Sequence, residues 1–347
     1  MGIVQTMAIT TESSIPTRRR YLGIDVGGTG IKLGVVDDSG VALGHVQINT
    51  EHERGAADGV NRILVAARGI VDELNLSWDD IDALGIGTPG TMDIRAGQLL
   101  HMPNMSGWDD FPIQSYLEEQ AGKPVAFMND GTAAAYGEFW AGRGKECSSI
   151  VMLTLGTGVG GGIIISGRSL DGEHSHGSEC GHIIIDGSPN ARRCPCGQLG
   201  HLEAYVSATS VAQRTLEGLH DGAESSLIEF LENEAALSAL SVFEHAQLED
   251  AFAIRIIEET AVYLSIGITS IMHILDPDMV ILGGAMNFGA HDTESGRMFI
   301  RTIRDKVAVA TFPVLAEQTI IDFASLGNHC GFIGAAGIAR AQFMATN

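Results

Sequence analysis

The chain has 347 residues and a formal net charge of −22, with only 21 lysines and arginines. This balance argues against nucleic acids and anionic membrane surfaces as partners, because both are bound by basic side chains that neutralise phosphate charge. The length favours two domains over a single core, and 45% hydrophobic residues with 44 glycines are typical of a folded α/β protein rich in tight turns.

The cysteines and the apolar runs predict a cytoplasmic location. Five cysteines are an odd number, and Cys194 and Cys196 are too close in sequence to staple the chain, so we expect no disulfide framework. No apolar run reaches the roughly 20 residues of a membrane span. Residues 1–20 carry their positive charge after a weakly apolar part, unlike a signal peptide, and we predict that they form a flexible tail.

The first predicted element is a hairpin over residues 21–36, YLGIDVGGTGIKLGVV, in which two strands meet at a glycine turn. Gly27 and Gly28 allow positive φ and let backbone N–H groups approach a ligand closely. An acidic protein can hold phosphate in this way. An ordinary hairpin turn explains these glycines equally well.

Helices are predicted near 58–74 and 112–121, and buried strands at 83–90 and 125–130. The last of these strands, VAFMND, ends at Asn129 and Asp130. Ligands of open α/β sheets bind at the carboxyl ends of strands, which makes this pair a candidate site. In isolation, however, a cap of the following helix is the better explanation of Asp130.

Residues 148–167, SSIVMLTLGTGVGGGIIISG, repeat the plan of strand, glycine turn and strand. The recurrence predicts a duplicated architecture. Two such turns that face each other across a cleft would hold opposite ends of a polyphosphate.

The last third of the chain is predicted to be helical over 205–275, with an acidic, solvated surface near 221–250. A buried strand over 276–286 runs into Gly283 and Gly284, where a nucleotide base or ribose would pack on bare backbone. A plain turn between strand and helix is an equally good explanation. Residues 329–343 predict a helix of small residues that docks closely on another element.

The run CPCGQLGHLE predicts a metal loop, since Cys194 and Cys196 place two soft ligands on one tight turn. His201 offers a third ligand and His182, in GSECGH, a fourth, while Glu203 closes the run. Small buried apolar cysteines are the alternative.

Taken in order, these motifs resemble the ROK family (repressor, open reading frame, kinase) of sugar kinases, over about residues 21–345. DVGGTGIKLG and LGTGVGGG look like its two phosphate loops and VILGGAM like its adenosine turn. GTPGTMD, PNMSGW, ND, GSECGH and CPCGQLGHLE look like its sugar and zinc segments. The resemblance implies an α/β, two-domain actin/hexokinase-like (ribonuclease H-like) fold with duplicated glycine-turn hairpins and a cleft. We expect a small N-terminal domain of 21–130 plus 331–347 and a large C-terminal domain of 131–330 that carries the zinc loop.

The resemblance also assigns roles to individual residues. Asp130 becomes the general base. The sugar-binding residues are Gly90, Asn104, Asn129, Asp130, Glu179, His182 and Glu203. The nucleotide-binding residues are Asp25, Gly27, Gly28, Thr29, Lys32, Gly156, Thr157, Gly158, Gly283 and Gly284. The zinc ligands are His182, Cys194 and Cys196, with His201 where the family usually has a third cysteine.

Two further departures from the family pattern bear on the site. Gly30 stands where a lysine is common, although Lys32 is close by, and the loop GEHSHGS before Glu179 lacks the usual alanine-rich sequence. Cys180 is a rival for the fourth zinc position.

The expected reaction is transfer of the γ-phosphoryl group of ATP to a hexose, first of all glucose, with fructose, mannose and N-acetylmannosamine as alternatives. Mg²⁺ is expected to act through water held by Asp25, and Zn²⁺ to be structural. An aspartate with the ordinary pKa of about 3.9 is ionised at pH 7, so Asp130 is expected to need no special environment. Other nucleotides or polyphosphate remain possible donors. A homodimer or higher homo-oligomer is expected.

Two other classes of function share these motifs. ROK transcriptional repressors bind a sugar without phosphorylating it and carry an N-terminal winged helix. About 20 residues precede the first hairpin, fewer than such a domain needs, so we expect a kinase. The presence of Asp130 argues against a sugar-binding scaffold without catalysis.

Overall fold

A computed structural model of the chain describes residues 19–102 and 105–346. The predicted tail therefore lies outside the described residues except for Arg19 and Arg20, as does the predicted sugar ligand Asn104. Within the described part, no helix has the length and apolar character that a membrane crossing requires.

The first sheet is built from five strands of the described chain, in the order β3-β2-β1-β4-β7. In chain order the elements of this half are β1 (Arg20–Val26), β2 (Gly30–Asp37), β3 (Ala42–Asn49), α1 (Ala56–Glu73), β4 (Ala83–Thr88), β5 (Thr91–Asp93), β6 (Gln98–His101), α2 (Ile113–Ala121) and β7 (Val125–Asn129). β1, β4 and β7 are parallel, so their carboxyl ends share one edge. β5 and β6 form a separate hairpin.

The second sheet repeats this plan within residues 105–346, in the order β10-β9-β8-β11-β12. Its half contains α3 (Asp130–Trp140), β8 (Ser149–Leu155), β9 (Val159–Ile165), β10 (Arg168–Ser169), α4 (Glu203–Val206), α5 (Ala208–His220), α6 (Ala239–Gln247), α7 (Ala251–Leu275), β11 (Met279–Gly283), α8 (Glu294–Ala310), α9 (Pro313–Gln318) and β12 (Ile320–Phe323). The last helix, α10 (Cys330–Thr346), returns to the first sheet and packs on β1 and β4. The matching strand order confirms the predicted duplication.

The predicted hairpins and helices follow from their local patterns. β4 is buried along its whole length, as expected of a central strand between two parallel neighbours. α1 buries Val60, Ile63, Ala67 and Ile70, which recur at helical spacing, and exposes the opposite face. Its apolar stripe therefore docks on the sheet and its polar face meets solvent.

The predicted close docking of the C-terminal helix is confirmed by glycines in its partners. A Cβ atom added at Gly23 would lie 1.7 Å from the carbonyl oxygen of Phe332, and one at Gly85 would lie 1.9 Å from that of Ala335. α10 also packs on α3, and these helices share a core cluster with residues of both sheets. The α3–α10 pair thus joins the two halves.

Buried Glu138 on α3 reinforces this junction. Its carboxylate accepts hydrogen bonds from Ser325 N and Leu326 N, at 2.8 and 2.7 Å, and from Arg143 N at 2.8 Å. Both places where the chain passes between the halves are therefore tied to one side chain.

The expectation of a simply solvated surface over 221–250 is wrong for its second part. α6 buries Ala239, Val242 and Ala246 in the core of the second half. The prediction relied on the many acidic residues of this segment and therefore missed the short apolar face of α6.

Candidate active site

A cavity of 450 Å³ lies where the carboxyl edges of the two sheets face each other. It brings together predicted site residues that are far apart in sequence, namely Gly90, Asn129, Asp130, Gly156, Gly158, Glu179, His182, Glu203 and Gly284. Sequence reasoning missed the other lining residues, which are Thr91, Thr154, Leu155, Val159, Gly160, Gly161 and Gly177. All seven are close in sequence to predicted ones, so motif proximity was the available signal.

Asn129 and Asp130 have separate roles at the start of α3. The side-chain oxygen of Asn129 caps the helix by accepting hydrogen bonds from Gly131 N and Thr132 N at 2.8 and 3.3 Å. Asp130 is the first helical residue, and its Oδ1 also accepts from Gly131 N, at 2.8 Å. The cap of α3 is therefore Asn129 rather than Asp130.

Two buried carboxyl groups at the edge of the first sheet, those of Asp25 and Asp130, have raised pKa values. Burial raises the pKa of Asp130, and the negative charge of Glu179 adds to the rise, while the N–H of Gly131 opposes it. Burial likewise raises the pKa of Asp25 to about 6, with a further contribution from Asp130 and an opposing one from Lys32. The pKa of Asp130 thus lies above the ordinary value, which the sequence could not indicate because it does not show how deeply this side chain is buried.

The first glycine turn joins β1 to β2. Gly27 N donates to Gly30 O at 2.9 Å, and Thr50 holds the turn from outside by donating its hydroxyl to Gly27 O at 2.6 Å. A Cβ atom at Gly28 would meet nothing within 4 Å, so this turn is open to a ligand. Thr29 completes the turn.

Asp25 and Lys32 lie directly opposite each other on β1 and β2. Lys32 lines a neighbouring cavity of 310 Å³ with His45 and His329 rather than the central one. The structure thus places the predicted residues of the first turn beside the central cavity without including them in its lining.

The second glycine turn, between β8 and β9, borders a further cavity of 520 Å³. Gly156 and Thr157 belong to this turn and also line the cavity. The rest of the cavity wall is largely apolar and includes Leu240, Phe243 and Phe288. The motif VILGGAM reaches this wall with Ala285 and Met286, but sequence reasoning missed the rest of it, since α6 and residues 287–289 carry no motif of their own.

Gly283 ends β11, and Gly284 follows it at the boundary between the two cavities, as a lining residue of the central one. Gly284 has a φ of 91°, and a Cβ atom there would lie 2.2 Å from the carbonyl oxygen of Leu155. A side chain is therefore excluded on two grounds, steric contact and backbone conformation.

His182, Cys194, Cys196 and His201 form a compact cluster whose four ligand atoms all lie within 4.8 Å of one another. The Nδ1 atoms of the two histidines are 3.3 Å apart, and Cys196 Sγ is 3.3 Å from His201 Nδ1. Cys194 Sγ is 3.8 Å from His182 Nδ1. Tetrahedral zinc with Zn–N near 2.0–2.1 Å and Zn–S near 2.3 Å separates its ligand atoms by about 3.3–3.8 Å, so these donors fit that ion.

Cys180 does not belong to this cluster. Its side chain is buried against Gly161, where an added Cβ would lie 2.7 Å from Cys180 Sγ, and burial raises the pKa of its thiol to about 12. Its Sγ is not among the four ligand atoms that lie within 4.8 Å of one another. His201 is therefore the better fourth ligand.

Glu203 connects the cluster to the second glycine turn. Its Oε2 accepts a hydrogen bond from Val159 N at 2.8 Å, and its Oε1 lies 3.5 Å from Cys194 Sγ. The segment is not extended at this point, since Glu203 begins α4. Glu179 and His182 lie on one short helical turn, with His182 N donating to Glu179 O at 3.0 Å.

Comparison with known proteins agrees with this architecture. The sequence model of the ROK family matches residues 21–342. A glucokinase of Halalkalibacterium halodurans is 33% identical over 93% of this chain and 96% of its own. The crystal structure of a ROK hexokinase from Thermus thermophilus superposes with a TM-score of 0.78 at 30% identity, covering 94% of this chain and 99% of that one. A ROK family glucokinase from Streptomyces griseus, in complex with glucose and AMPPNP, gives 0.73 at 28% identity, covering 93% and 99%.

Proposed function

The chain belongs to the ROK family and is an ATP-dependent sugar kinase with the actin/hexokinase-like fold, and we propose that its substrate is glucose, which it converts to glucose 6-phosphate. The observation that carries this proposal is the position of Asp130, which is buried and lines one cavity with the second glycine turn and with Glu179, His182 and Glu203.

We propose that Asp130 accepts the proton of the attacking sugar hydroxyl. Transfer of a phosphoryl group depends mostly on positioning and charge neutralisation, so the base need only be close and ionised. A raised pKa makes the carboxylate a stronger proton acceptor than an ordinary aspartate. It also predicts that activity declines at acidic pH, as Asp130 becomes protonated.

Sugar recognition is proposed to rest on Asn129, Glu179, His182 and Glu203, with Gly90 and Asn104 on the facing loop. The two capping bonds occupy the oxygen of Asn129, and its amide N–H₂, which also interacts with the Asp130 carboxyl group, has a second hydrogen for a sugar hydroxyl. A site of buried polar partners rejects analogues that leave one of them unpaired. Glucose is preferred over fructose, mannose and N-acetylmannosamine because the relatives that support the proposal are glucokinases.

The nucleotide is proposed to lie across the second half. Its phosphates would contact two turns. The first contains Gly27, Gly28 and Thr29, and the second contains Gly156, Thr157 and Gly158. The adenosine would fill the 520 Å³ cavity beyond Gly284. Asp25 would hold the hydration shell of Mg²⁺, which neutralises phosphate charge when bound. The opposing Lys32 would add a positive charge nearby.

The Cys/His cluster is proposed to hold one structural Zn²⁺. His182, Cys194, Cys196 and His201 would be its ligands, and the ion would fix the loop from which Glu203 reaches the sugar. We also propose that the domains are 21–130 plus 331–347 and 131–330, and that the protein forms homo-oligomers.

A coupled assay of ADP release against a panel of hexoses tests the proposal. We expect the highest kcat/KM with glucose and ATP, and much lower values with fructose, mannose and N-acetylmannosamine. Donor choice is measured in the same assay by replacing ATP with GTP or polyphosphate and following glucose 6-phosphate. A wild-type protein that phosphorylates no hexose contradicts the proposal.

A further inference from the structure

Two loops that lead to lining residues of the central cavity, Thr91 on one side and Gly177 and Glu179 on the other, contact each other across the two halves of the molecule. Arg95, at the tip of the β5–β6 hairpin, makes two hydrogen bonds to the Glu173 carboxylate, both 2.7 Å long. Beside this ion pair, Ile94 N donates to Ser175 Oγ at 2.9 Å. Three hydrogen bonds therefore join residues about 80 positions apart in the sequence.

Each partner is held firmly by its own half. The hairpin turn is closed by Ala96 N, which donates to Asp93 Oδ1 at 2.9 Å, and Gln114 N of α2 donates to Gly97 O at 3.1 Å. The backbone at the tip of this hairpin is therefore anchored to the first half. Arg95 can meet its partner only when the two halves have the right relative position.

The loop on the other side is closed at its base. Gly177 N donates to Asp171 O at 2.7 Å and Ser178 Oγ donates to Leu170 O at 2.9 Å. Ser175 has a φ of 60°, a conformation that turns the chain sharply at the tip. Gly177 and Glu179, which follow, line the central cavity.

We propose that Arg95, Glu173 and Ser175 form a latch that holds the cleft closed over the bound sugar and slows its release. These are positioning residues, since none of them lines the cavity in the described part of the chain. The latch acts through the loop that carries Glu179 and through the hairpin that continues from Gly90 and Thr91. The two loops lead to Thr91 and Glu179 and not to the second glycine turn, so we expect the latch to act on sugar affinity more strongly than on nucleotide affinity. The inference rests on the proposed function for the identity of the ligand.

Charge reversal provides the decisive test. Arg95→Glu and Glu173→Arg each place like charges together, and we expect either change alone to raise the glucose KM about fivefold. The ATP KM and the melting temperature should stay close to wild type. The double reversal restores an ion pair and should return the glucose KM to within about twofold of wild type.

The control is Arg54→Gln. Arg54 is another exposed arginine, whose partners, Glu51 and Asp58, lie in the same half at 2.7 and 2.8 Å. Its loss should leave the glucose KM unchanged. Added salt should raise the glucose KM of the wild type but not that of Arg95→Gln, because only the wild type has the exposed Arg95–Glu173 ion pair to screen.

A measurement without sugar separates the latch from the proposed function. Removal of the acceptor in Ser175→Ala should speed hydrogen exchange at the Ile94 amide about fivefold in the ligand-free protein. The latch is wrong if this exchange rate is unchanged, or if the double reversal is as impaired as the single ones. If the wild type phosphorylates no hexose, the proposed function fails and the exchange rate alone decides the latch.

Discussion

The two sheets share one strand order but carry different chemistry at their carboxyl edges. The first presents carboxyl groups, Asp25 on β1 and Asp130 after β7, both with raised pKa values. The second presents bare backbone at Gly156 and Gly284, with its polar groups supplied by loops outside the sheet. The comparison teaches that two sheets with one strand order can present different chemistry, with buried carboxyl groups at one edge and closely packed glycine backbone at the other.

Removal of the base should affect activity most. We expect Asp130→Asn to lower kcat by about 10²-fold or more, the scale of a lost general base, while sugar binding and the melting temperature change little. Steady-state kinetics and calorimetric titration with glucose measure the two effects. Asp38→Asn, a surface change in the same half, serves as control. Turnover within about threefold of wild type would show that proton acceptance by Asp130 is dispensable.

Loss of the proposed metal should have the next largest effect, because the ion would hold the loops of the second half in position. We expect His201→Ala to lose zinc and to weaken glucose binding about 10- to 100-fold. His201→Cys should keep the ion, since it supplies another ligand, and so should Cys180→Ala, whose side chain lies outside the cluster. Metal content by mass spectrometry checks each variant. A full equivalent of zinc in His201→Ala, or none in the wild type, would contradict the assignment.

Two glycines test the claim that the second sheet needs bare backbone. Gly284→Ala forces a Cβ against Leu155 at a φ of 91°, and we expect it to lower the free energy of unfolding by about 1–3 kcal/mol. Gly28→Ala meets open space, so its stability should stay within about 0.5 kcal/mol while its ATP KM rises. Urea denaturation and kinetics separate the effects. Equal stability losses in both variants would argue against this contrast.

The smallest expected effect is the pH dependence of stability that Asp25 imposes on the first sheet. Its pKa is about 6 in the folded protein against 3.8 ordinarily, so folding favours the protonated form. The stability from this group is therefore complete below pH 3.8 and is lost as the pH rises through about 6.

Replacement of Asp25 should remove that loss. We expect Asp25→Asn to be more stable than wild type at pH 8 by about 1–2 kcal/mol, and by less at pH 5.5, without nucleotide or Mg²⁺. Urea denaturation at both pH values, with the exposed Asp305→Asn as control, measures the difference. If the stability difference between the variant and the wild type does not depend on pH, ionisation of Asp25 does not destabilise the folded protein.

The sequence determined the local elements and most of the candidate site. Alternating apolar residues around glycine turns predicted both hairpins, helical spacing predicted α1, and the spacing of Cys194, Cys196 and His201 predicted the metal cluster. These features depend on neighbours within a few residues, so the sequence alone contains the information.

Other features were decided only by the tertiary structure. The raised pKa values of Asp25 and Asp130, the apolar cavity beside α6 and the pairing of Arg95 with Glu173 each depend on residues that are distant in sequence. Burial and long-range contact are properties of the packed chain. No local pattern encodes them, because the groups that remove water from a side chain come from elements that meet it only after folding.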